Sequence, residues 1–251
     1  MCSRPSSTRQ HCESTPLLGL VVRAETARIT QAATRIVDLS HRVTNGMRVY
    51  PGVPAPSITA FLTHEQSRSR YDGQCELTFS QVNVVAGVGT YLDSPYHRDA
   101  ALPDFASLPL DHVADVPGLV IDVRARPQRA ITPADLGELD GHGQALVLRT
   151  GMDAYWETDR YWDDSPYLVE ETAQRLIEAR ISMLVVDFLN VDDTRDPRRP
   201  AHTSLLRAQI PIVENACNLD RLPPTGFRVH AAPAAFEGVA SFPIRAYAVV
   251  G

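Results

Sequence analysis

From residue 35 onward, short apolar runs separated by turn-forming residues organise the chain. "CELTFSQVNVVA" (75–86) alternates polar and apolar positions, the period-two pattern of a strand with one buried face. "GLVIDVR" (118–124), "ALVLRT" (145–150) and "ISMLVVDF" (181–188) are continuous Val, Ile and Leu runs bounded by Gly, Pro or Asp, and read as strands. "SPYLVEETAQRLIEAR" (165–180) changes period: Val169, Ala173, Leu176 and Ile177 fall on one helical stripe, with Ser165 and Pro166 as cap and first turn. That helix feeds directly into the 181–188 strand, and "HTSLLRAQ" (202–209) predicts a second, shorter helix. The pattern is that of an α/β protein. No internal repeat and no long linker interrupts it, so residues 34–251 are expected to form a single domain.

Residues 1–33 lack this periodicity. They open with the polar "MCSRPSSTRQHCESTP", and the apolar "LLGLVV" at 17–22 is too short and poorly placed for the core of a secretory signal. A flexible N-terminal arm is the expectation.

Composition narrows the function classes. At 251 residues and 44% hydrophobic, the chain can bury one large core. A formal net charge of -6 argues against a nucleic-acid binder, which needs a basic surface to neutralise phosphates. No window approaches the run of about 20 apolar residues that spans a bilayer. The four cysteines are scattered without a C-x-x-C, which points away from a disulfide framework and towards the cytoplasm. All 24 basic residues are arginine, so Schiff-base catalysis on a lysine is excluded.

Three polar stretches lie at the ends of predicted strands, where α/β enzymes place their chemistry. "GVGTYLDSPYHRD" (87–99) carries Asp93 and His97 around Pro95, which disfavours helical backbone at Ser94. "DFLNVDDTRDPRRPAH" (187–202) carries Asp192, Asp193 and His202, and "IPIVENACNLDRLP" (210–223) places Glu214 straight after an apolar run. Each has an ordinary alternative: Asp93 as a turn cap, His202 as a helix-start packing group, Glu214 as a partner for Arg207. Phe79, Trp156, Tyr161, Trp162 and Phe236 could line an aromatic pocket or simply pack.

Taken together, the stretches resemble a known family. "GVGTYLDSPYH" is similar to the signature H-x-G-T-H-x-D-x-P-x-H of the bacterial cyclase family, which includes kynurenine formamidase and isatin hydrolase. "IVDLSHRVTNGMRVYPG" (36–52), "LVLRTGMDAYWETDRYW" (146–162), "VVDFLNVD" (185–192), "AHTSLLRAQIPIVENACNLDRLP" (201–223) and "SFPIRAYAVV" (241–250) resemble further segments of that family, in order. The resemblance implies a swivelling β/β/α fold, a homo-oligomer, a small-molecule substrate, and a divalent metal that activates water for attack on an amide or lactam. It also implies roles for Asp93, His97, His202 and Glu214, which match the family positions. The signature's two leading histidines are replaced by Gly87 and Tyr91.

Glycine offers no ligand, and a phenol must lose a proton to become a strong one. With Asp93 the one matched member of the leading triad, the favoured expectation is no cofactor and no metal at that primary position. The function expected is then a metal-independent cyclase or isomerase acting on an intermediate of bacterial specialised metabolism. His97, His202, Glu214 and Asp93 would be its acid–base group, and Tyr91 a hydrogen-bond donor to the substrate. The first alternative is a metal-dependent amide or lactam hydrolase, with zinc or manganese on Asp93, His97, His202 and Glu214. The second is a catalytically silent binding subunit.

Overall fold

The computed structural model describes residues 34–126 and 128–251, so the expected N-terminal arm lies outside the described residues. The first half contains β1 (Arg35–Asp38), β2 (Ser57–Leu62), α1 (His64–Arg70), β3 (Phe79–Asn83), β4 (Tyr91–Asp93) and β5 (Val116–Asp122). It continues through β6 (Ala130–Ile131), α2 (Pro133–Leu136), β7 (Ala145–Arg149), α3 (Asp159–Asp163) and β8 (Tyr167–Leu168). The last part contains α4 (Glu170–Glu178), β9 (Met183–Val186), α5 (Pro200–Arg207), β10 (Ile212–Glu214), β11 (Phe227–His230), β12 (Ser241–Pro243) and β13 (Tyr247–Val250).

Nine strands form one mixed sheet in the order β1-β13-β11-β5-β7-β9-β10-β4-β12. Its centre, β5-β7-β9-β10, is parallel, and the strands on either side are antiparallel. Parallel strands covered on both faces need apolar side chains in both directions. β7 and β9 meet that need: Leu146, Leu148, Leu184 and Val186 enter one core, while Ala145, Val147, Met183 and Val185 enter the other. The first core is closed by Ala173 and Leu176 of α4 and by Ala201, Leu205 and Leu206 of α5. The single α/β domain expected from the sequence is therefore present.

Two expectations need correction. The helix begins at Glu170, not at Ser165, because Tyr167 and Leu168 pair with Ala130 and Ile131 as strands first. Ser165 caps nothing there; its hydroxyl accepts the Leu189 N–H at 3.0 Å. The alternating 75–86 segment shortens to β3, which pairs only with β2 in a separate two-stranded ribbon. Its residues are exposed on both faces, with Phe79 and Val82 uncovered, because no second layer lies over them among the described residues.

Gly118 shows how tightly the second core is packed. A β-carbon there would overlap the Phe227 ring from the adjoining β11. Gly118→Ala should therefore cost about 1–3 kcal/mol in urea denaturation through overpacking. Combined with Phe227→Leu, it should cost less than the sum of the two single changes.

Candidate active site

β4 lies between β10 and β12, and its two-residue period puts Tyr91 and Asp93 on one face. In the β4–β10 register Glu214 sits directly across from Tyr91, and the phenol donates a hydrogen bond to Glu214 Oε2. Ser94 is extended (φ -84°, ψ 163°), as Pro95 requires, and a one-turn 3₁₀ helix over Pro95–His97 then carries His97 over the same region. α5 supplies His202 from the other side. The structure thus brings together all five sequence-predicted residues: Tyr91, Asp93, His97, His202 and Glu214.

His202 is the hub. Its Nε2 lies 3.4 Å from Asp93 Oδ2 and 3.4 Å from Glu214 Oε1, and its Nδ1 lies 2.7 Å from Asp192 Oδ2. Asp192 also accepts the backbone N–H groups of Ala201 and His202, which fixes the first turn of α5. The sequence reading placed Asp192 in a polar stretch without a role. Its ten-residue offset from His202 across a loop gives no periodic signal.

Burial decides the charges. It disfavours the His202 imidazolium, but Glu214, Asp192 and Asp93 outweigh it and raise the pKa to about 10. Burial pushes Glu214 up to about 7, against the pull of His202. Burial also works to raise Asp93, yet the His202 contact and nearby His97 hold it below the usual carboxylate range. For His97 burial dominates and lowers the pKa, which leaves the ring neutral at neutral pH. Tyr91 is raised well above its ordinary value by burial and by Glu214, so it stays a phenol.

Tyr91, Asp93, His97 and His202 border a cavity of about 340 Å³, lined also by Tyr50, Gly87, Arg98, Asn190 and Arg199, with Glu214 behind His202 and Tyr91. None of the five aromatics considered from sequence lines it. Tyr161 is buried against Asn215, Trp156 stacks on His41 with ring centroids 4.0 Å apart, and Phe79 and Phe236 are exposed. Gly87 adopts φ +78°, and a β-carbon there would sit 3.9 Å from the Tyr91 ring.

The cluster can be tested for fit to a divalent ion. One donor atom each from Asp93, His202 and Glu214 lies within 4.8 Å of the others. A tetrahedral ion with ligands at about 2.1 Å separates them by about 3.4 Å, which is the spacing from His202 to both carboxylates. Asp93 Oδ1 is buried without a hydrogen-bond partner among the described residues. Asp192 on the far ring nitrogen is the usual support of a metal-binding histidine. Three carboxyl groups against one imidazole also leave the floor anionic. The residues fit a metal, and the ligand set differs from the sequence expectation: Asp93, His202 and Glu214 converge, while His97 stands beside them with its ring 6.1 Å from that of His202.

A family profile described as "Putative cyclase" matches residues 37–193, more than half of the chain. The chain belongs to the cyclase family. Curated relatives include a kynurenine formamidase of Bacillus cytotoxicus, 27% identical over 85% of this chain and 97% of that one. Another, from Bacillus anthracis, is 26% identical over 84% of this chain and 95% of the relative. Among solved structures, isatin hydrolase A from Labrenzia aggregata superposes with a TM-score of 0.74 at 21% identity, covering 86% of this chain and 94% of that one. A "potential metal-dependent hydrolase with cyclase activity" gives 0.67 at 22% identity, covering 87% and 99%. These likenesses establish the fold of a cyclase-family domain. Among the described residues no helix is long and apolar enough to cross a membrane.

The raised His202 value has a testable sign. A folded-state pKa near 10 against an ordinary 6.5 means that this group's contribution to stability is complete below about 6.5 and is lost as pH rises through about 10. In metal-free protein, NMR titration of the His202 ring should place its midpoint well above neutrality. Asp192→Asn should lower that midpoint by roughly one unit or more.

Proposed function

We propose that this cyclase-family chain is a metal-dependent hydrolase of a small amide or lactam. The observation that carries the reading is the grouping of Asp93, His202 and Glu214 donor atoms within 4.8 Å of one another, where Asp93 and His202 line the cavity. The names of the relatives, kynurenine formamidase and isatin hydrolase, support the same chemistry. A zinc or manganese ion held by these three residues supplies Lewis acidity, polarising the scissile carbonyl and acidifying water.

The chain's own groups do the rest. His97, neutral at neutral pH and facing the cavity, takes a proton from the attacking water and returns it to the departing nitrogen. Asp192 holds the Nδ1 proton of His202, so that Nε2 is the nitrogen turned towards Asp93 and Glu214. Tyr91 fixes the rotamer of Glu214 through its hydrogen bond, while Val191 N–H binds the other carboxylate oxygen at 2.6 Å. The reading takes residues 34–251 as the catalytic domain, working as a cytoplasmic homo-oligomer.

A second reading, a metal-independent cyclase or isomerase of specialised metabolism, draws on Gly87 and Tyr91 at the signature's leading positions. There His202, as an imidazolium among carboxylates, and neutral His97 form an acid and base pair without a metal. Elemental analysis of the purified protein, paired with hydrolysis assays on isatin and an aryl formamide, separates the two. The hydrolase reading expects zinc or manganese at about one per chain, with activity lost on chelation and both activity and metal lost in His202→Ala. His97→Ala should keep the metal while kcat falls roughly 10²–10⁴-fold. Metal-free protein whose turnover survives a chelator overturns the hydrolase reading in favour of the second.

A further inference from the structure

The wall of the cavity differs from its floor. The floor carries Asp93 with Glu214 and Asp192 buried behind His202, but the lining also includes two arginines, Arg98 and Arg199, that no step above uses. Eight arginines among the described residues are matched to a carboxylate, including Arg195 to Asp193, Arg228 to Asp115 and Arg245 to Asp38, each within 2.8 Å. Arg98 and Arg199 form no ion pair among the described residues. Arg98 has a buried Nε without any hydrogen-bond partner. Arg199 reaches only neutral acceptors, Asn190 Oδ1 at 3.3 Å and Thr194 O at 3.2 Å. Both side chains are partly buried.

An uncompensated guanidinium at the edge of a cavity is costly unless something anionic meets it. Backbone geometry fixes where one of them sits. Arg199 is one of eight described non-glycine residues in the left-handed region (φ 50°, ψ 57°), immediately before α5 and three residues from His202. Here it sets the start of the helix that carries His202, with the Arg199 side chain on the cavity wall. The cavity therefore has an anionic reacting end and a cationic flank, a polarity suited to a substrate that is itself charged at one end.

We propose that Arg98 and Arg199 select a substrate bearing a carboxylate away from its reacting bond. This deepens the hydrolase reading and rests on it only for the chemistry at the floor. A guanidinium fork matches a carboxylate geometrically. A monoanion also suits a site whose floor exposes Asp93, with Glu214 and Asp192 close behind His202, which would repel a more highly charged group.

The test uses the purified enzyme with its native metal content and two probes of equal shape, benzoate and benzamide, measured by titration calorimetry. Benzoate should bind more tightly, and Arg98→Gln and Arg199→Gln should each weaken it roughly tenfold with benzamide changed less than about twofold. Arg199→Lys should restore part of the loss because it keeps the charge. Thermal melting checks that each variant is folded, and Arg98→Gln alone decides the matter if position 199 does not tolerate change. In parallel, kcat/KM for 2-formamidobenzoate should exceed that for formanilide, and the excess should shrink in the variants. Equal binding of the two probes, or benzoate binding indifferent to both arginines, overturns the proposal. Benzoate selectivity that depends on the arginines, without hydrolysis of either formamide, upholds carboxylate recognition and removes the hydrolase reading instead.

Discussion

The site depends on one buried imidazole. His202 is almost wholly excluded from solvent and touches three carboxyl groups, Asp192 on one nitrogen and Asp93 and Glu214 on the other. Each of those acids comes from a different piece of chain: an edge-side strand, a central strand and a loop. Any one of them buried alone would be driven to its neutral form. Their shared partner is what lets them stay close together in a water-poor floor. The same arrangement suits a positive charge at that point, whether it is carried by a proton on the ring or by an ion between the donors.

Around this hub Gly87 and Tyr91 stand at the two positions where the resembled signature has histidines. The phenol of Tyr91 lies over the glycine at position 87 and reaches across to Glu214 on the next strand. One substitution removes a side chain, and the other supplies a ring beside the vacated backbone. The floor retains an aspartate, a histidine and a glutamate at ligand spacing, so altering the first half of the signature has not dismantled the whole site.

Much of this was legible in the chain. Continuous apolar runs marked β7 and β9 because strands buried on both faces leave no room for polar residues. The segment resemblances located Asp93, His97, His202 and Glu214 before any geometry was known. The misreadings came from tertiary choices that local pattern does not encode. β3 alternates as a half-buried strand does, yet it stands in a ribbon with both faces open. Ser165 looked like a helix cap, but two strand residues and their pairing with β6 intervene. The role of Asp192 arises from a loop folding back onto α5, which local pattern does not announce. The favoured no-metal expectation counted ligands within one motif, whereas the alternative set of Asp93, His97, His202 and Glu214, drawn from several elements, contained the three donors that group together.

Gly87 limits how this loop can be re-engineered. Its backbone occupies the left-handed region, where a residue with a β-carbon costs on the order of 1 kcal/mol or more. A histidine there would work against the local chain path. A histidine at position 91 would release Glu214 from its phenol. Neither single change is neutral, so installing a histidine pair at these two positions by design needs the loop and the Glu214 contact to be rebuilt together.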